Sequence, residues 1–278
     1  MTEYCYLNGT LLLAATCQIA VTDRSYLLGD GLFETILVQN SRPVYLSEHL
    51  SRLQQSASFF AYHLPPLEEL AGGIQTVIDA NSLESGSIRL TVSPTESQGL
   101  LAKINSPLNI LVTFRRGRPY REELYEQGLT AIIAQTTCKN QHSPLSRHKT
   151  TNFADSILAR REAQLRGSDE AILLNTAGKL TEATVANLFL VIKGEVFTPS
   201  IADGVLPGII RQKVLELCLD LKIPAREQSL TPNDLAVAEE AFLTNSLLGV
   251  MPIRKINTVN FLAQVSRRLA ATLDMESK

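Results

Sequence analysis

Along the chain, short apolar runs bounded by turn residues alternate with segments in which apolar residues recur at helical spacing. Residues 4–7 and 10–13 flank Asn8-Gly9, a dipeptide that favours a two-residue hairpin turn. Ser47 is predicted to cap the first long helix. The other predicted elements of the first half are strands at 32–38, 43–46, 88–92 and 108–114 and a helix at 67–80. Frequent hairpins favour mixed sheets over a fully parallel fold.

The second half continues the alternation of strands and helices. Its strand-like runs are 129–134, 171–174, 188–192, 196–197, 223–227, 241–243 and 250–253, and its helices are predicted to begin near Asn152, Gly208, Thr231 and Phe261. The run Arg115-Arg116-Gly117-Arg118-Pro119 interrupts the pattern at mid-chain. We therefore predict a two-domain α+β protein with mixed sheets and flanking helices. The expected parts are a small N-terminal domain at 1–115, a linker at 116–121 and a larger C-terminal domain at 122–278.

The composition is that of a folded globular chain of 278 residues, of which 45% are hydrophobic and 19% are charged. A formal net charge of -2 gives no general attraction to nucleic acid or to anionic membranes, so we expect neither as a partner. The four cysteines form no C-x-x-C pair, which indicates reduced thiols, and no segment resembles a signal peptide or a membrane span. We expect a soluble cytoplasmic protein.

The run 146–153 carries the most distinctive chemistry. Lys149 lies just before a predicted helix that Asn152 would cap, and it follows Arg147 and His148. The positive end of a helix and nearby cations disfavour an ammonium group, and a neutral lysine is a nucleophile towards carbonyl groups. The alternative is a solvated lysine in a loop, which is the common environment of this residue type.

Several other chemistries find no support in the sequence. Gly29-Asp30-Gly31 lacks the third glycine of a dinucleotide fingerprint, because Glu34 stands in its place. His142 and His148 have no carboxylate at ligand spacing, so no metal site is predicted. Walker A and G-x-S-x-G motifs are absent from the sequence.

A lysine that works with an aromatic aldehyde cofactor needs a carboxylate at the ring nitrogen and cationic or main-chain donors at the phosphate. Glu182 lies between two predicted strands, where an exposed turn glutamate is the alternative. The segment 208–211 opens a helix with free N–H groups, which any helix start would also offer. Arg52 lies beside Glu48 and His49 on the first capped helix, where a surface salt bridge is the alternative.

Taken together and in this order, these features resemble the pyridoxal-phosphate enzymes of fold type IV. That family includes branched-chain aminotransferases, D-amino acid aminotransferases and 4-amino-4-deoxychorismate lyases. The matching stretches, spread over nearly the whole chain, are Asp23-Arg24, Gly29-Asp30-Gly31-Leu32-Phe33-Glu34, Glu48-His49-Leu50-Ser51-Arg52-Leu53, Lys149-Thr150-Thr151-Asn152, Thr181-Glu182, Asn187-Leu188-Phe189 and Leu206-Pro207-Gly208-Ile209-Ile210-Arg211.

The resemblance implies a site built on pyridoxal 5'-phosphate. Lys149 would bind the cofactor aldehyde covalently, and Glu182 would face the pyridine nitrogen. The phosphate would be held by Arg52, by the amides of Ile209 and Ile210, and by Ser246. Members of the family are typically homodimers that act on small-molecule amines.

Two details resemble the lyases more than the aminotransferases. Lys149 and Asn152 are three residues apart, as in the lyases and D-amino acid enzymes, and the segment 244–252 is similar to the lyase version of that loop. The resemblance thus implies a lyase that converts 4-amino-4-deoxychorismate to p-aminobenzoate and pyruvate, a step of folate synthesis, with Thr35 facing the substrate. Ser93-Pro94 departs from the pattern, because related enzymes often have a carboxylate-binding arginine there. An aminotransferase of branched-chain or D-amino acids and a non-catalytic cofactor-binding protein are the alternatives.

Overall fold

The computed structural model describes residues 2–95, 97–102, 105–117 and 120–273. Within this part of the chain two compact units are found. The first holds the residues up to 117 together with His148–Phe153, and the second holds the rest. Part of the predicted linker, residues 118 and 119, lies outside the described residues, and the predicted domain boundaries remain a prediction.

The first unit is an antiparallel sheet with two long helices. Its elements are β1 (Tyr4–Leu7), β2 (Thr10–Leu13), a 3₁₀ turn (Ala14–Thr16), α1 (Arg24–Leu28), β3 (Leu32–Gln39), β4 (Arg42–Pro43), α2 (Leu46–Phe59), α3 (Leu67–Ala80), β5 (Ser85–Pro94), β6 (Ser97–Gln98), β7 (Leu101–Ala102) and β8 (Leu108–Arg116). The main sheet has the order β2-β1-β8-β5-β3-β4, with β6 and β7 paired separately. The predicted hairpin at Asn8-Gly9 is confirmed.

One face of this sheet packs on the two helices. In β3, Leu32, Ile36 and Val38 alternate towards a core that includes Leu53 of α2 and Ile74 of α3. Glu34 shares this face, whereas Phe33, Thr35 and Leu37 point to the opposite one.

The predicted cap of α2 is wrong. The helix begins at Leu46 after Tyr45, whose φ of 53° is left-handed, and no side chain caps it. The hydroxyl of Ser47 donates instead to Glu48, at 2.8 Å. A left-handed residue already turns the chain into the helix, so Ser47 falls inside the first turn.

The second unit combines a mixed sheet with surrounding helices. Its elements are α4 (Glu122–Gln127), β9 (Leu129–Ile133), a 3₁₀ turn (Pro144–Arg147), α5 (Ala154–Leu165), β10 (Glu170–Leu174), β11 (Leu180–Ala183), β12 (Asn187–Ile192), β13 (Glu195–Thr198), a 3₁₀ turn (Ile201–Asp203), α6 (Ile209–Asp220), β14 (Ala225–Glu227), a 3₁₀ turn (Pro232–Ala236), β15 (Glu240–Asn245), β16 (Gly249–Ile256), β17 (Val259–Asn260) and α7 (Gln264–Thr272). Both parallel and antiparallel pairs occur, so the α+β class with mixed sheets is confirmed.

The sheet of the second unit closes on itself. Its path runs β11-β10-β9-β16-β15-β12, and β11 also pairs with β12 through Glu182 and Asn187. The core inside includes Leu188, Leu243 and Met251. Strand β11 therefore has a hydrogen-bonded neighbour on each side, β10 and β12, and these neighbours fix the position of Glu182.

Helix α5 presents small residues to the sheet. Ala159 and Ala163 are buried against β10, whereas Ile157 and Leu158 are 47% and 46% exposed. The larger apolar residues at helical spacing, Ile157, Leu158 and Leu165, would predict a different buried side, but alanines form the face that packs on the sheet. No helix in the described part of the chain is long and apolar enough to cross a membrane.

Candidate active site

Lys149 extends the sheet of the first unit. The amide of Phe33 donates to the carbonyl of Lys149 at 2.9 Å, and the amide of Thr151 donates to Gly31 at 2.8 Å. Thr150 forms a bridge with Leu32 at the start of β3. Helix α5 begins at Ala154, so Lys149 precedes a helix as predicted, but Asn152 is not the residue directly before it. The backbone of β3 holds Lys149 in place.

Two aromatic rings lie beside the Lys149 amine. Its Nζ lies 4.3 Å from the ring centroid of Phe33 and 5.8 Å from that of Phe153. The two rings meet edge to face at 5.4 Å. Ring faces attract an ammonium group and also shield it from water, so this lysine is held in a defined place rather than in a solvated loop.

Glu34, the residue after Phe33, forms a buried network with Arg52 and His49. Arg52 donates two parallel hydrogen bonds to Glu34, from Nε to Oε1 at 2.8 Å and from Nη2 to Oε2 at 2.6 Å. Nδ1 of His49 lies 2.7 Å from the same Oε2. Glu34 is 1% exposed and His49 is fully buried. Arg52 is thus oriented by a carboxylate, a partner that the sequence did not indicate.

The electrostatics of the network follow from its burial. Burial raises the pKa of Glu34, but the charge of Arg52 and the hydrogen bonds from His49 and Arg52 outweigh it and hold the pKa at about 2. The pKa of His49 is lowered, first by burial and then by the charges of Arg52 and Lys149, against the opposing effect of Glu34. Nε2 of His49 is buried without a hydrogen-bond partner among the described residues.

Thr35 and Arg89 are cross-strand neighbours on the sheet face away from the helices. The guanidinium carbon of Arg89 lies 3.6 Å from the centroid of the Phe33 ring, which also contacts Lys149. Partial desolvation, and then the charge of Arg115 on β8, lower the pKa of Arg89. Sequence reasoning missed Arg89, although its place between Ile88 and Leu90 is typical of the polar side of a strand.

Ser93 has a structural role. Its hydroxyl donates to Oδ2 of Asp23 at 2.6 Å, and Asn109 donates to the same oxygen at 2.7 Å. All three side chains are buried. This hydrogen bond joins the residue that caps α1 to β5.

The carboxylate of Glu182 receives three donors within the second unit. Lys139 pairs with Oε1 through its ammonium group. Oε2 accepts from the amide of Leu206 at 2.9 Å and from Nδ2 of Asn187 at 3.2 Å. Glu182 is 8% exposed, so the alternative of an exposed turn glutamate is wrong.

The turn that follows Leu206 leads into α6. Gly208 is the residue before Ile209 and Ile210, the first two residues of the helix, whose amides have no partner within it. A Cβ atom on Gly208 would lie 1.9 Å from Oδ1 of Asn187, so only glycine fits. The same asparagine donates to the carbonyl of Leu206 at 2.9 Å. One side chain thereby joins Glu182 to the start of the helix.

Ser246 follows the end of β15. Oδ1 of Asn245 accepts from the amides of Leu247 and Leu248 at 2.8 and 2.9 Å, which shapes the turn that carries the serine. Oγ1 of Thr244 is buried without a hydrogen-bond partner among the described residues. Such an orphaned hydroxyl is expected beside a polar ligand.

The residues fit pyridoxal phosphate. An amine lies beside aromatic rings, a buried carboxylate could accept a ring N–H, and a glycine leaves a helix start open to a phosphate group. The first unit holds Lys149 and Arg52, and the second holds Glu182, Ile210 and Ser246. Among the described residues, no group of three or more histidine, cysteine, aspartate or glutamate side chains is placed to bind a metal ion.

Comparisons with known proteins show the family of this chain. The family model of amino-transferase class IV matches residues 31–256. The branched-chain-amino-acid aminotransferase of Escherichia coli strain K12 is 28% identical over 268 residues, which covers 92% of this chain and 86% of that protein.

Two solved structures extend the comparison. A branched-chain amino acid aminotransferase from T.th., solved with pyridoxamine 5'-phosphate, superimposes with a TM-score of 0.91 at 25% identity over 98% of this chain and 92% of that one. The 4-amino-4-deoxychorismate lyase of Pseudomonas aeruginosa gives a TM-score of 0.88 at 25% identity over 97% of both chains. This chain therefore belongs to the class IV amino-transferase family, the fold-type IV enzymes whose cofactor is pyridoxal phosphate.

Proposed function

We propose that the protein is a lyase that converts 4-amino-4-deoxychorismate to p-aminobenzoate and pyruvate. The observation that carries this proposal is Arg89, which lies on the same aromatic ring as Lys149. A second cation, Arg115, is close enough to affect its pKa. The proposed substrate carries two carboxylates, and two neighbouring arginines, one of them on the ring that contacts Lys149, match that charge. Arg89 would take the place of the carboxylate-binding arginine that Ser93 does not supply.

Lys149 has two tasks in the proposed reaction. Its Nζ would hold the cofactor covalently in the resting enzyme and would be released when the substrate amine binds. The released amine, kept beside Phe33, then removes the proton from the substrate carbon that bears the amine, as a general base. When bound, the cofactor withdraws electrons from that carbon. The C–O bond to the enolpyruvyl group breaks, the ring becomes aromatic, and the enol takes up a proton to give pyruvate.

The other site residues would orient and hold the cofactor and the substrate. Glu182 would accept the N–H of the cofactor ring, and Arg52 would bind the phosphate with the edge that faces away from Glu34. The amides of Ile209 and Ile210 and the hydroxyl of Ser246 would complete the phosphate contacts. Thr35, beside Arg89 on the same sheet face, would contact the substrate.

The proposal is tested by supplying chorismate, glutamine and an aminodeoxychorismate synthase, and measuring p-aminobenzoate by chromatography. We expect p-aminobenzoate and pyruvate in equal amounts, at a rate proportional to the protein added. No product above that of the synthase alone would contradict the lyase assignment. The Lys149→Ala variant is the matched control and should form none.

An aminotransferase of branched-chain or D-amino acids is the second candidate. The Escherichia coli relative, which is aligned with 92% of this chain, favours it. Mixing the holoenzyme with L-leucine, L-isoleucine or D-alanine distinguishes the two. A full conversion of the bound cofactor to its amine form, seen by absorbance and reversed by a 2-oxo acid, would establish transamination. An unchanged spectrum favours the lyase.

We also propose that the protein is a homodimer. Around α1, Val21, Tyr26, Leu27 and Leu28 are apolar or aromatic and are all at least half exposed. A patch of this kind on one face of a unit is typical of a protein interface. Sedimentation at micromolar concentration should give a two-chain particle, and a monomer at that concentration would contradict the proposal.

A further inference from the structure

Lys139 is the partner of Glu182 that the proposed function does not use. Its ammonium pairs with Oε1, whereas Leu206 and Asn187 donate to the other carboxylate oxygen. The lysine side chain is 20% exposed and the glutamate side chain 11%, so the pair is largely out of water. A cation in such a place differs from an ordinary surface lysine, because its charge and that of its partner are both poorly solvated.

The backbone places Lys139 firmly. Its amide donates to the carbonyl of Leu174 at 2.8 Å, at the end of β10, and its carbonyl accepts from Thr176 at 3.1 Å. Glu182 is held to the same strand, because the hydroxyl of Thr181 donates to Leu173 at 2.8 Å. The two charged side chains therefore project from backbones tied to one strand, and neither depends on a flexible loop for its position.

The acceptor count at Glu182 leaves room for one more donor. A carboxylate offers about four acceptor positions, and Lys139, Asn187 and Leu206 occupy three. The two neutral donors lie on Oε2, whereas the single charged donor lies on Oε1. Asn187 and Leu206 set the plane of the carboxylate. Lys139 supplies the only charge compensation that the described hydrogen bonds give it.

We propose that Lys139 is a positioning residue that holds Glu182 as an oriented, charge-compensated carboxylate ready to accept the ring N–H of the cofactor. This inference rests on the role of Glu182 in the proposed function. Without the lysine, a buried carboxylate keeps only neutral donors, a state that proteins avoid by taking up a proton or by moving the group to water. Either change removes the acceptor from the cofactor ring.

Three variants isolate the charge of Lys139. Lys139→Met removes it at similar length, Lys139→Gln retains a neutral donor, and Lys139→Arg retains the charge. Lys179→Met is the matched control, because Lys179 lies just before β11 but interacts with Ser229 and Asp203 at 3.0 and 3.7 Å. Thermal unfolding of each apoprotein establishes first that it is folded.

The main readout is the dissociation constant of pyridoxal phosphate, measured by titration of the apoproteins. We expect Lys139→Met and Lys139→Gln to weaken binding about tenfold, as for a lost charge-assisted contact, while Lys139→Arg and Lys179→Met stay within about threefold of the wild type. The absorption band of the bound cofactor should also become pH-dependent in Lys139→Gln over a range in which the wild type is constant. Wild-type affinity and spectra in Lys139→Gln would overturn the inference, and so would tighter binding, which would make the lysine a competitor for Oε1.

A Glu182→Gln background separates the two claims. If Lys139 acts through Glu182, adding Lys139→Met to Glu182→Gln should change cofactor affinity and spectrum no further. A further tenfold loss in the double variant would contradict the inference. If Glu182→Gln alone has wild-type affinity, turnover and spectrum, the proposed role of Glu182 fails instead.

Discussion

The exchange of Glu34 for glutamine tests the buried network that orients Arg52. The amide of glutamine can accept from one donor, but its NH₂ group would face either Arg52, which is a donor, or Nδ1 of His49, which could accept only if the ring proton moved to the buried Nε2. The variant therefore removes a charge and also leaves a donor without an acceptor in a site that is 1% exposed. We expect it to fold, with lower stability and weaker cofactor binding.

The size of the effect follows from the pKa of Glu34. The surroundings lower this pKa from 4.5 to about 2. A pKa difference of one corresponds to about 1.4 kcal/mol, so the charge contributes about 3 kcal/mol to the free energy of unfolding at neutral pH. The group is fully buried, so solvent screening does not reduce this figure. Loss of one partner from a buried ion pair typically costs about 3–5 kcal/mol, which agrees.

The assay is urea unfolding of the apoproteins at pH 7, with Glu84→Gln as the control. Glu84 is an exposed carboxylate of the same unit, and its exchange should change the free energy of unfolding by less than about 0.5 kcal/mol. Glu34→Gln should lower it by about 3 kcal/mol. A change as small as that of the control would refute the reasoning.

The difference between the wild type and Glu34→Gln should also depend on pH. The pKa of Glu34 is lower in the folded protein than in the unfolded chain, so its stabilisation is fully present above about pH 4.5. It should fade as the pH falls towards about 2. A difference that is constant across this window would show that the carboxylate charge is not the cause.

Further exchanges probe the cofactor and substrate contacts. Gly208→Ala should lower the melting temperature and cofactor affinity, because its Cβ would lie 1.9 Å from Asn187. The control is Gly72→Ala, whose Cβ meets nothing within 4 Å and which should be neutral or stabilising. Differential scanning calorimetry measures the melting temperature of both variants. Arg52→Ala should weaken cofactor binding by about 1–3 kcal/mol, and Ser246→Ala should weaken it by less, because it loses only one neutral hydroxyl. Cofactor titration measures both, and the reverse order would contradict the proposed phosphate site. Arg89→Ala should raise the KM for the substrate at least about tenfold with little change in cofactor affinity, as steady-state kinetics and cofactor titration would measure.

Much of the first unit could be predicted from the sequence. The helix expected at 67–80 is α3, Leu67–Ala80, and the hairpin at Asn8-Gly9 forms with the expected ends. Strong hydrophobic periodicity and a specific turn dipeptide are local signals. Here the local preferences are consistent with the packing of the core, so the predicted elements form.

Other features depend on tertiary contacts and could not be predicted. Lys149 carried no sign that its segment would pair with β3, because a single bridge leaves no pattern in the sequence. The partners Glu34 of Arg52 and Lys139 of Glu182 are distant in the chain, so no spacing rule links them. Apolar residues at helical spacing would predict the wrong buried side for α5, since the side that packs on the sheet is made of alanines.

The most direct test of the account is to identify the lysine that binds the cofactor. The holoenzyme is reduced with borohydride and digested, and the modified peptide is sequenced by mass spectrometry. The account predicts a single pyridoxyl group on Lys149, held beside Phe33, and none in Lys149→Ala. A group on Lys139 or on any other lysine, or an unchanged yield in Lys149→Ala, would contradict it.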